Sequence, residues 1–295
     1  MALTEKIIYT NSLGQILEFN HIAPFYLVDY SGFGQPNNTI TSSKQYGTDG
    51  EQFNQQTLDY RDLDVDVVIQ AVGPEILLEL KRVFIDVLNP KLHGKLTYKT
   101  EAHSYEIDVI LLKGLDESDS RGKNWQSANL QFRALSPFWR DTSDYIKKVD
   151  MSDIENKLKF DLSIQDQFEF ATSNNGQIVN IQNYGSTPIG AIFTFEFVGE
   201  TAVPEILNVV TNEYFGFDET FETGDKLVVS TIHNDKHMTW TKADGKIVNL
   251  MVVRKAGSTF LQLDNTAANY LQVKAVSGIE NVKVTVEYYP LLLGV

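Results

Sequence analysis

The sequence contains no cysteine, and this absence removes several classes of site at once. Disulfide staples, thiolate metal sites and a cysteine nucleophile are all excluded. The sequence also has no run of about 18 apolar residues, so it predicts no membrane span. Its first residues, MALTEKIIYT, lack the basic, apolar and small-residue order of a signal peptide. We therefore expect a protein that is made inside a cell and stays soluble unless something else exports it.

Positive charge is scarce: 25 Lys and Arg stand against 39 Asp and Glu, a formal net charge of -14. Up to Asp141 there are 13 basic and 19 acidic residues, and the remainder has 12 and 20, so both halves are acidic. A surface that binds phosphate backbones needs clustered Lys and Arg, whereas here they are scattered. Direct binding of nucleic acid is not expected.

Signatures of metal and catalytic sites are also lacking. Among the five histidines only His233 and His237 are close, and their HxxxH spacing adjoins strand-like sequence rather than a helix. An exposed turn is the preferred interpretation there. No GxSxG elbow, phosphate loop or HExxH motif occurs. We expect no metal, cofactor or catalytic residue, although a glycosidase carboxylate pair has no sequence signature that would exclude it.

The 295 residues suggest two domains, and the pattern changes in character near the middle. Residues 1–141 read as strands, one helix and strands again, which predicts an α+β domain with a mostly antiparallel sheet. The helix is expected over 74–88, with Pro74 in its first turn and Asn89-Pro90 after its end. Its predicted core-packing face consists of Ile76, Leu77, Leu80, Val83, Phe84, Val87 and Leu88.

Residues 34–60 are polar and rich in Gly, Asn and Gln. A connection this long inside a compact domain is usually functional or an interaction element. Two interpretations of this segment remain: a hairpin arm that laps a neighbouring subunit, or a disordered loop.

Asp62, Asp64 and Asp66 alternate with apolar residues, so a strand would place all three carboxylates on one face. A calcium site is disfavoured, because a calcium loop needs a turn and a glycine among its ligands. A solvated or lumen-facing strand is the preferred interpretation.

Residues 142–156 are charged and weakly periodic, and we predict that they form the linker. Residues 157–295 then read as many short strands with turn signals between them, which predicts a β-sandwich or jelly-roll-like barrel. Asp244-Gly245 between two strands is the strongest hairpin signal.

Three patterns occur in order along the chain. They are RALSPFWR at 133–140, NYGSTPIGAIFTFEF at 183–197 with PEILNVVTNE after it, and ETGDKLVVST at 222–231 followed by the C-terminal VTVEYYPLLLGV. This ordered set resembles the distal tail protein (Dit) family of long-tailed, non-contractile phages and prophages, over nearly the whole chain.

The resemblance implies a mainly β fold with one long helix in the first half. The N-terminal α+β domain would form a ring, typically of six copies, and the C-terminal domain would be a galectin-like β-sandwich. The expected partners are other copies of the chain, the tail tube protein, the tail-associated fibre or lysin protein and, in many phages, receptor-binding proteins. The protein would be a non-enzymatic part of the virion tail tip, made in the bacterial cytoplasm, with DNA passing through its lumen.

Three sets of site residues follow. Pro137, Phe138 and Trp139 are predicted to form an interdomain plug, because Pro137 ends the preceding strand. The carboxylates of Asp62, Asp64 and Asp66 are lumen-facing candidates, since like charge would keep DNA from sticking. His237 and Trp240 are candidate sugar ligands under the alternative function, a carbohydrate-binding adhesin that acts through the C-terminal sandwich.

Overall fold

The computed structural model describes residues 5–116, 124–142, 147–151, 154–155, 172–173, 176 and 178–295. The chain divides into two compact units, Met1–Asp144 with Leu291–Val295 and Tyr145–Pro290. The last five residues therefore lie with the first unit, whereas the predicted second domain ran to residue 295. Of the predicted linker 142–156, residues 147–150 form a strand of the second unit, and residues 143–146, 152–153 and 156 lie outside the described part.

The elements of the first unit follow the predicted order of strands, helix and strands. They are β1 (Lys6–Asn11), β2 (Ile16–Phe19), β3 (Phe25–Ser31), β4 (Asn38–Ser43), β5 (Gln52–Leu58), β6 (Arg61–Gln70), α1 (Pro74–Val87), β7 (His93–Lys99), β8 (Ser104–Lys113), β9 (Trp125–Ala134) and β10 (Trp139–Asp141).

One antiparallel sheet organises this unit, with strand order β2-β1-β7-β8-β9-β6-β3. Strand β10 pairs with β8, and the C-terminal strand Leu291–Leu292 pairs with β10. Alternate residues of each strand point into one core, as period two requires. The largest buried side chains in it are Tyr9, Phe19, Phe84, Phe132 and Trp139.

Helix α1 begins with Pro74, whose missing N–H costs nothing in a first turn, and Glu75 complements the helix dipole there. It ends where the backbone N–H of Leu88 donates to the carbonyl of Phe84. The buried residues on the helix are Leu77, Lys81, Phe84 and Val87. The prediction that Ile76 and Val83 belong to the core-packing face is wrong: both are about half exposed, because the apolar arc of the helix is wider than its contact with the sheet.

The second unit consists of short strands. They are β11 (Lys147–Asp150), β12 (Ile154–Glu155), β13 (Thr172–Ser173), β14 (Ile178–Ile181), β15 (Ile192–Phe197), β16 (Thr201–Ala202), β17 (Glu205–Asn208), β18 (Tyr214–Gly216), β19 (Thr220–Phe221), β20 (Lys226–Ser230), β21 (His237–Thr241), β22 (Ile247–Asn249), β23 (Asn269–Lys274) and β24 (Val282–Tyr288). The C-terminal strand Leu291–Leu292 is β25, and single 3-10 turns span Leu250–Val253 and Ile279–Asn281.

Two sheets form the body of this unit. Six strands run in the order β11-β24-β15-β20-β21-β22, and four run in the order β14-β23-β17-β18. Their apolar faces share an aromatic core: Phe195 of the larger sheet lies edge-on to Phe217, with ring centroids 5.8 Å apart, and Phe217 likewise contacts Phe215 of the smaller sheet. The Asp244-Gly245 hairpin is confirmed, since it joins β21 to β22 with Gly245 at φ +83°.

The predicted fold class is confirmed in its coarse form: the described chain is mainly β, and its one α-helix lies in the first half. None of the helices in the described residues has the length and hydropathy that a membrane crossing needs.

Candidate functional site

The three predicted carboxylates line one face of β6, turned away from the core. Leu63, Val65 and Val67, which alternate with them, are fully buried. The neighbouring strand β9 places one polar side chain opposite each carboxylate. The register pairs Asp62 with Arg133, Asp64 with Gln131 and Asp66 with Asn129.

Two of these pairs are in direct contact. The Arg133 guanidinium donates two hydrogen bonds to Asp62, from Nε at 2.7 Å and from Nη2 at 2.9 Å, and the Asn129 amide donates to Asp66 at 2.7 Å. The hydrogen bonds from Arg133 hold the pKa of Asp62 below its ordinary value. The ring of Tyr60 lies 3.9 Å from the same guanidinium. This ladder favours one register of β6 against β9, because a slip by one residue would turn the carboxylates into the core.

Further ion pairs lie on the same sheet face. Three more cross-strand ion pairs are Lys6–Glu18 at 3.2 Å, Lys95–Glu106 at 2.9 Å and Arg140–Asp108 at 2.8 Å. The face is therefore close to even in charge and not a bare acidic wall. No group of three or more His, Asp or Glu side chains that could hold a metal occurs among the described residues.

The predicted plug residues lie at the end of the sheet of the first unit. Trp139 is fully buried and packs on Phe33, with ring centroids 5.0 Å apart. Pro137 is buried and Phe138 half-buried, and the carbonyl of Pro137 accepts a hydrogen bond from Arg61 Nε at 3.1 Å. These contacts belong to the first unit, and the role of the three residues as an interdomain plug stays a prediction.

Arg61 is a residue that the sequence gave no reason to select. Its guanidinium is buried, and among the described residues it donates only to backbone carbonyls, which belong to Gly32, Gly34, Pro137 and Leu293. A close backbone approach makes this possible: Gly32 has φ +84°, and a Cβ there would lie 2.1 Å from the carbonyl oxygen of Asp62. Arg61 thus fastens the base of the segment 34–60 and the C-terminal strand to the same point.

His237 and Trp240, the candidate sugar ligands, do not come together. They are three residues apart on β21, so they point to opposite faces of the sheet. His237 is exposed and contacts Asp235 at 3.2 Å, whereas Trp240 is buried against Phe221 with ring centroids 5.0 Å apart. One ligand cannot contact both rings from the same side.

Residues 34–60 form a hairpin arm. Among the described strands, β4 and β5 pair only with each other, and every residue in them is exposed. Neither strand contains a charged residue. The register places all three apolar side chains, Ile40, Phe53 and Leu58, on the same face of the ribbon.

A β-bulge creates this apolar face. Thr41 pairs with Gln55, but Ser42 pairs with Phe53, so Asn54 is the extra residue. Without it Phe53 would point to the opposite face, among Thr41, Ser43 and Gln55. Ile40 and Phe53 are each 59% exposed. The arm is therefore an amphipathic ribbon whose apolar side has no cover within the described chain.

Comparisons with known proteins agree with this architecture. Residues 12–134 match the family described as phage tail protein RIFT-related domain. A search of curated proteins found no match to the sequence. Three solved structures have the same fold over nearly the whole chain.

The Dit protein of phage SPP1, described as a paradigm of hub adsorption apparatus in phages that infect Gram-positive hosts, superposes with a TM-score of 0.67 at 14% identity, covering 97% of this chain and 98% of that chain. A chain of the phage P2 baseplate in its activated conformation with Ca gives 0.56 at 13% identity, covering 97% and 98%. The phage p2 baseplate activated with Sr gives 0.55 at 13%, covering 98% of both.

These findings agree with the sequence-based expectation of a structural protein rather than an enzyme. The predicted resemblance to the distal tail protein family is confirmed: residues 12–134 of this chain match a phage tail RIFT-related domain, and 97% of the chain has the fold of a Dit protein.

Proposed function

We propose that this protein is a structural virion component that closes into a ring at the distal end of a long non-contractile phage tail. The ring would join the tail tube protein to the tail-tip fibre or lysin protein and offer attachment points for receptor-binding proteins. Support comes from the phage tail domain over residues 12–134 and from the hub and baseplate roles that the printed descriptions give to the structural neighbours.

The observation that carries ring formation is the uncovered arm. An isolated two-stranded hairpin is marginal in water, and the described chain gives β4 and β5 no third strand. Natural edge strands are usually protected by charges, yet these two strands have none. Ile40, Phe53 and Leu58 offer an apolar face that another surface would cover.

A second copy of this chain is the proposed partner of that face. An arm that laps the next subunit makes a head-to-tail contact, and head-to-tail contacts generate closed rings when the rotation closes. Arg61 holds the arm at its base, so each subunit would project the arm in one direction. Six copies is the number that the family resemblance implies.

The open face of the large sheet is the proposed wall of the DNA passage, with Asp62, Asp64 and Asp66 as lumen-facing residues. The ion pairs leave the face nearly even in charge. The wall would therefore not bind phosphate, because its basic groups are neutralised by carboxylates, and strong repulsion would contribute less. An interdomain role for Pro137, Phe138 and Trp139 and a galectin-like character of the second unit belong to the same proposal.

Light scattering behind a sizing column tests the ring. We expect a species of six times 33.3 kDa for the wild-type chain. Phe53→Glu should shift the mass to that of a single chain, since it places a charge on the apolar face. Gln55→Glu adds the same charge to the opposite face and should leave the ring intact. A ring that survives Phe53→Glu, or one that both variants break equally, would contradict the role of the arm.

The alternative function, an adhesin that binds carbohydrate through His237 and Trp240, is not favoured by the geometry of those two residues, because they lie on opposite faces of β21.

A further inference from the structure

We propose that the apolar face of the arm packs on helix α1 of the neighbouring copy, along a helix stripe that consists of Ile76, Leu80 and Val83. The inference rests on the proposed ring and deepens it, because it names the surface of the second copy that the arm contacts. The arm and the helix stripe both belong to the first unit. Each copy would therefore place its arm on one neighbour and receive the arm of the other.

One flank of helix α1 is an uninterrupted apolar row. Residues at positions i, i+4 and i+7 share one side of a helix, which aligns Ile76, Leu80 and Val83. Ile76 and Val83 are each about half exposed, and Leu80 is half-buried against the core of the first unit. The row carries no charge, and its outer side is open within the described chain. It is therefore a second uncovered apolar surface on the unit that carries the arm.

The opposite flank of the helix suits the arm less well. Leu78 and Ile85 are also more than half exposed and lie seven residues apart. Between them on that side of the helix stand Lys81 and Arg82, and Arg82 is exposed. An uncharged ribbon laid on this flank would desolvate a basic side chain without pairing it, which costs free energy. The helix stripe avoids that cost.

The arm and the helix stripe are similar in length. The apolar side chains of the arm lie in three successive rows of one face, which pair Leu58 with Asn38, Ile40 with Gln56 and Phe53 with Ser42. From position 38 to position 42 these rows extend over about 13 Å. From position 76 to position 83 the helix stripe extends over about 10 Å. Three apolar side chains of the arm can therefore meet three of the helix along one line of contact.

The polar borders of the two surfaces are complementary. Glu79 lies three residues after Ile76 and four before Val83, so its exposed carboxylate borders the helix stripe. The face of the arm presents uncharged amides at Asn38 and Gln56. An amide donates to a carboxylate in a charge-assisted hydrogen bond. Because neither β4 nor β5 contains an acidic residue, the strands of the arm bring no like charge towards Glu79.

Light scattering behind a sizing column tests the contact from the side of the helix. Val83→Glu places a charge on the helix stripe and should shift the mass from six times 33.3 kDa to that of a single chain. Ile85→Glu is the matched control, since it makes the same change at a similarly exposed position of the opposite flank. It should leave the ring intact. Circular dichroism of both variants checks that the helix is retained.

Cross-linking tests the same contact without altering an apolar residue. Because the sequence has no cysteine, Gln56→Cys on the arm and Glu79→Cys beside the helix stripe each introduce a single thiol. When the two variants are co-expressed and treated with a short bismaleimide, we expect a cross-linked dimer of twice 33.3 kDa. Either variant alone should give none, since each arm contacts a helix and not another arm.

The outcomes distinguish this inference from the ring itself. A wild-type chain that forms no ring, together with co-expressed cysteine variants that form no dimer, would overturn both. A ring that persists in Val83→Glu, or that Ile85→Glu breaks equally, would overturn only the helix stripe. A ring whose cysteine variants do not cross-link when co-expressed, or cross-link equally well alone, would mean that the arm contacts a different surface.

Discussion

Two antiparallel hairpins of the first unit each place their apolar side chains on one face, but only one of these faces is buried. In the hairpin of β1 and β2, Ile7, Tyr9, Leu17 and Phe19 alternate with residues of the open face and are buried in the core. In the arm of β4 and β5, Ile40, Phe53 and Leu58 share one face in the same way but remain largely exposed. Alternation alone therefore makes a ribbon, and burial depends on what the rest of the molecule places against it.

The two hairpins differ in what lies beside them. Strand β1 has β7 on its other side, so its backbone groups and its apolar face are both satisfied within the chain. The arm has no such neighbour among the described strands. The bulge sets the apolar face of the arm, and the described chain leaves that face uncovered. A second molecule that covered it would stabilise the arm, which is the basis of the ring proposal.

The sharpest way to test the contrast is to truncate one phenylalanine in each hairpin. Phe19→Ala should lower the free energy of unfolding by about 3–5 kcal/mol, because it leaves a cavity beside Phe84 and Phe25. Phe53→Ala should change the stability of the single chain by less than about 0.5 kcal/mol. Urea denaturation of the two variants, under conditions in which the chain is monomeric, measures both. Equal losses would mean that the arm is packed within its own chain.

Features set by short-range patterns could be predicted from the sequence. The first hairpin, helix α1, strand β6 and the Asp244-Gly245 turn each follow from alternation, a helix period or a turn dipeptide. The shared face of Asp62, Asp64 and Asp66 follows in the same way. The period of two would also have separated His237 from Trp240, since an odd spacing on a strand places them on opposite sides.

Features set by long-range contacts could not be predicted. Arg61 is buried by carbonyls from segments up to 232 residues away, and no local pattern marks such a residue. The apolar face of the arm depends on the bulge at Asn54, for which the polar sequence gives no signal. The return of Leu291–Val295 to the first unit depends on the pairing of β25 with β10.

The substitution Arg61→Met tests how much the hydrogen bonds at the base of the arm contribute to the free energy of unfolding. The change leaves the carbonyls of Gly32, Pro137 and Leu293 without their buried donor, so we expect a loss of about 2–3 kcal/mol in the free energy of unfolding. Chemical denaturation measures the loss. Hydrogen exchange should show faster exchange at Val295, whose backbone N–H donates to Phe33. Unchanged stability would show that the guanidinium does not fasten these segments.

The substitution Tyr9→Phe in the core hairpin is expected not to destabilise the fold, unlike Phe19→Ala. The Tyr9 hydroxyl is buried and has no hydrogen-bond partner in the described part of the chain, and its burial raises the pKa of the phenol. Removing an unpaired buried hydroxyl should leave stability unchanged or raise it by about 1 kcal/mol. Tyr30→Phe is the matched control, since that hydroxyl contacts Glu5 at 3.0 Å and Tyr98 at 3.2 Å, and its loss should destabilise. A large loss for Tyr9→Phe would mean that the hydroxyl is bonded after all.

The smallest expected effect concerns the ladder on the open face of the same sheet. Arg133 lowers the pKa of Asp62, and a carboxyl whose folded pKa lies below its unfolded value stabilises the fold at pH above the unfolded value. That contribution is lost as the pH falls through the folded pKa. Arg133→Ala should therefore lower the melting temperature slightly at about pH 7, and the difference should shrink as the pH falls through the folded pKa of Asp62. Salt should shrink the difference at neutral pH, because the pair is exposed. A difference that persists at low pH would assign the role of Arg133 to its packing on Tyr60 instead of its charge.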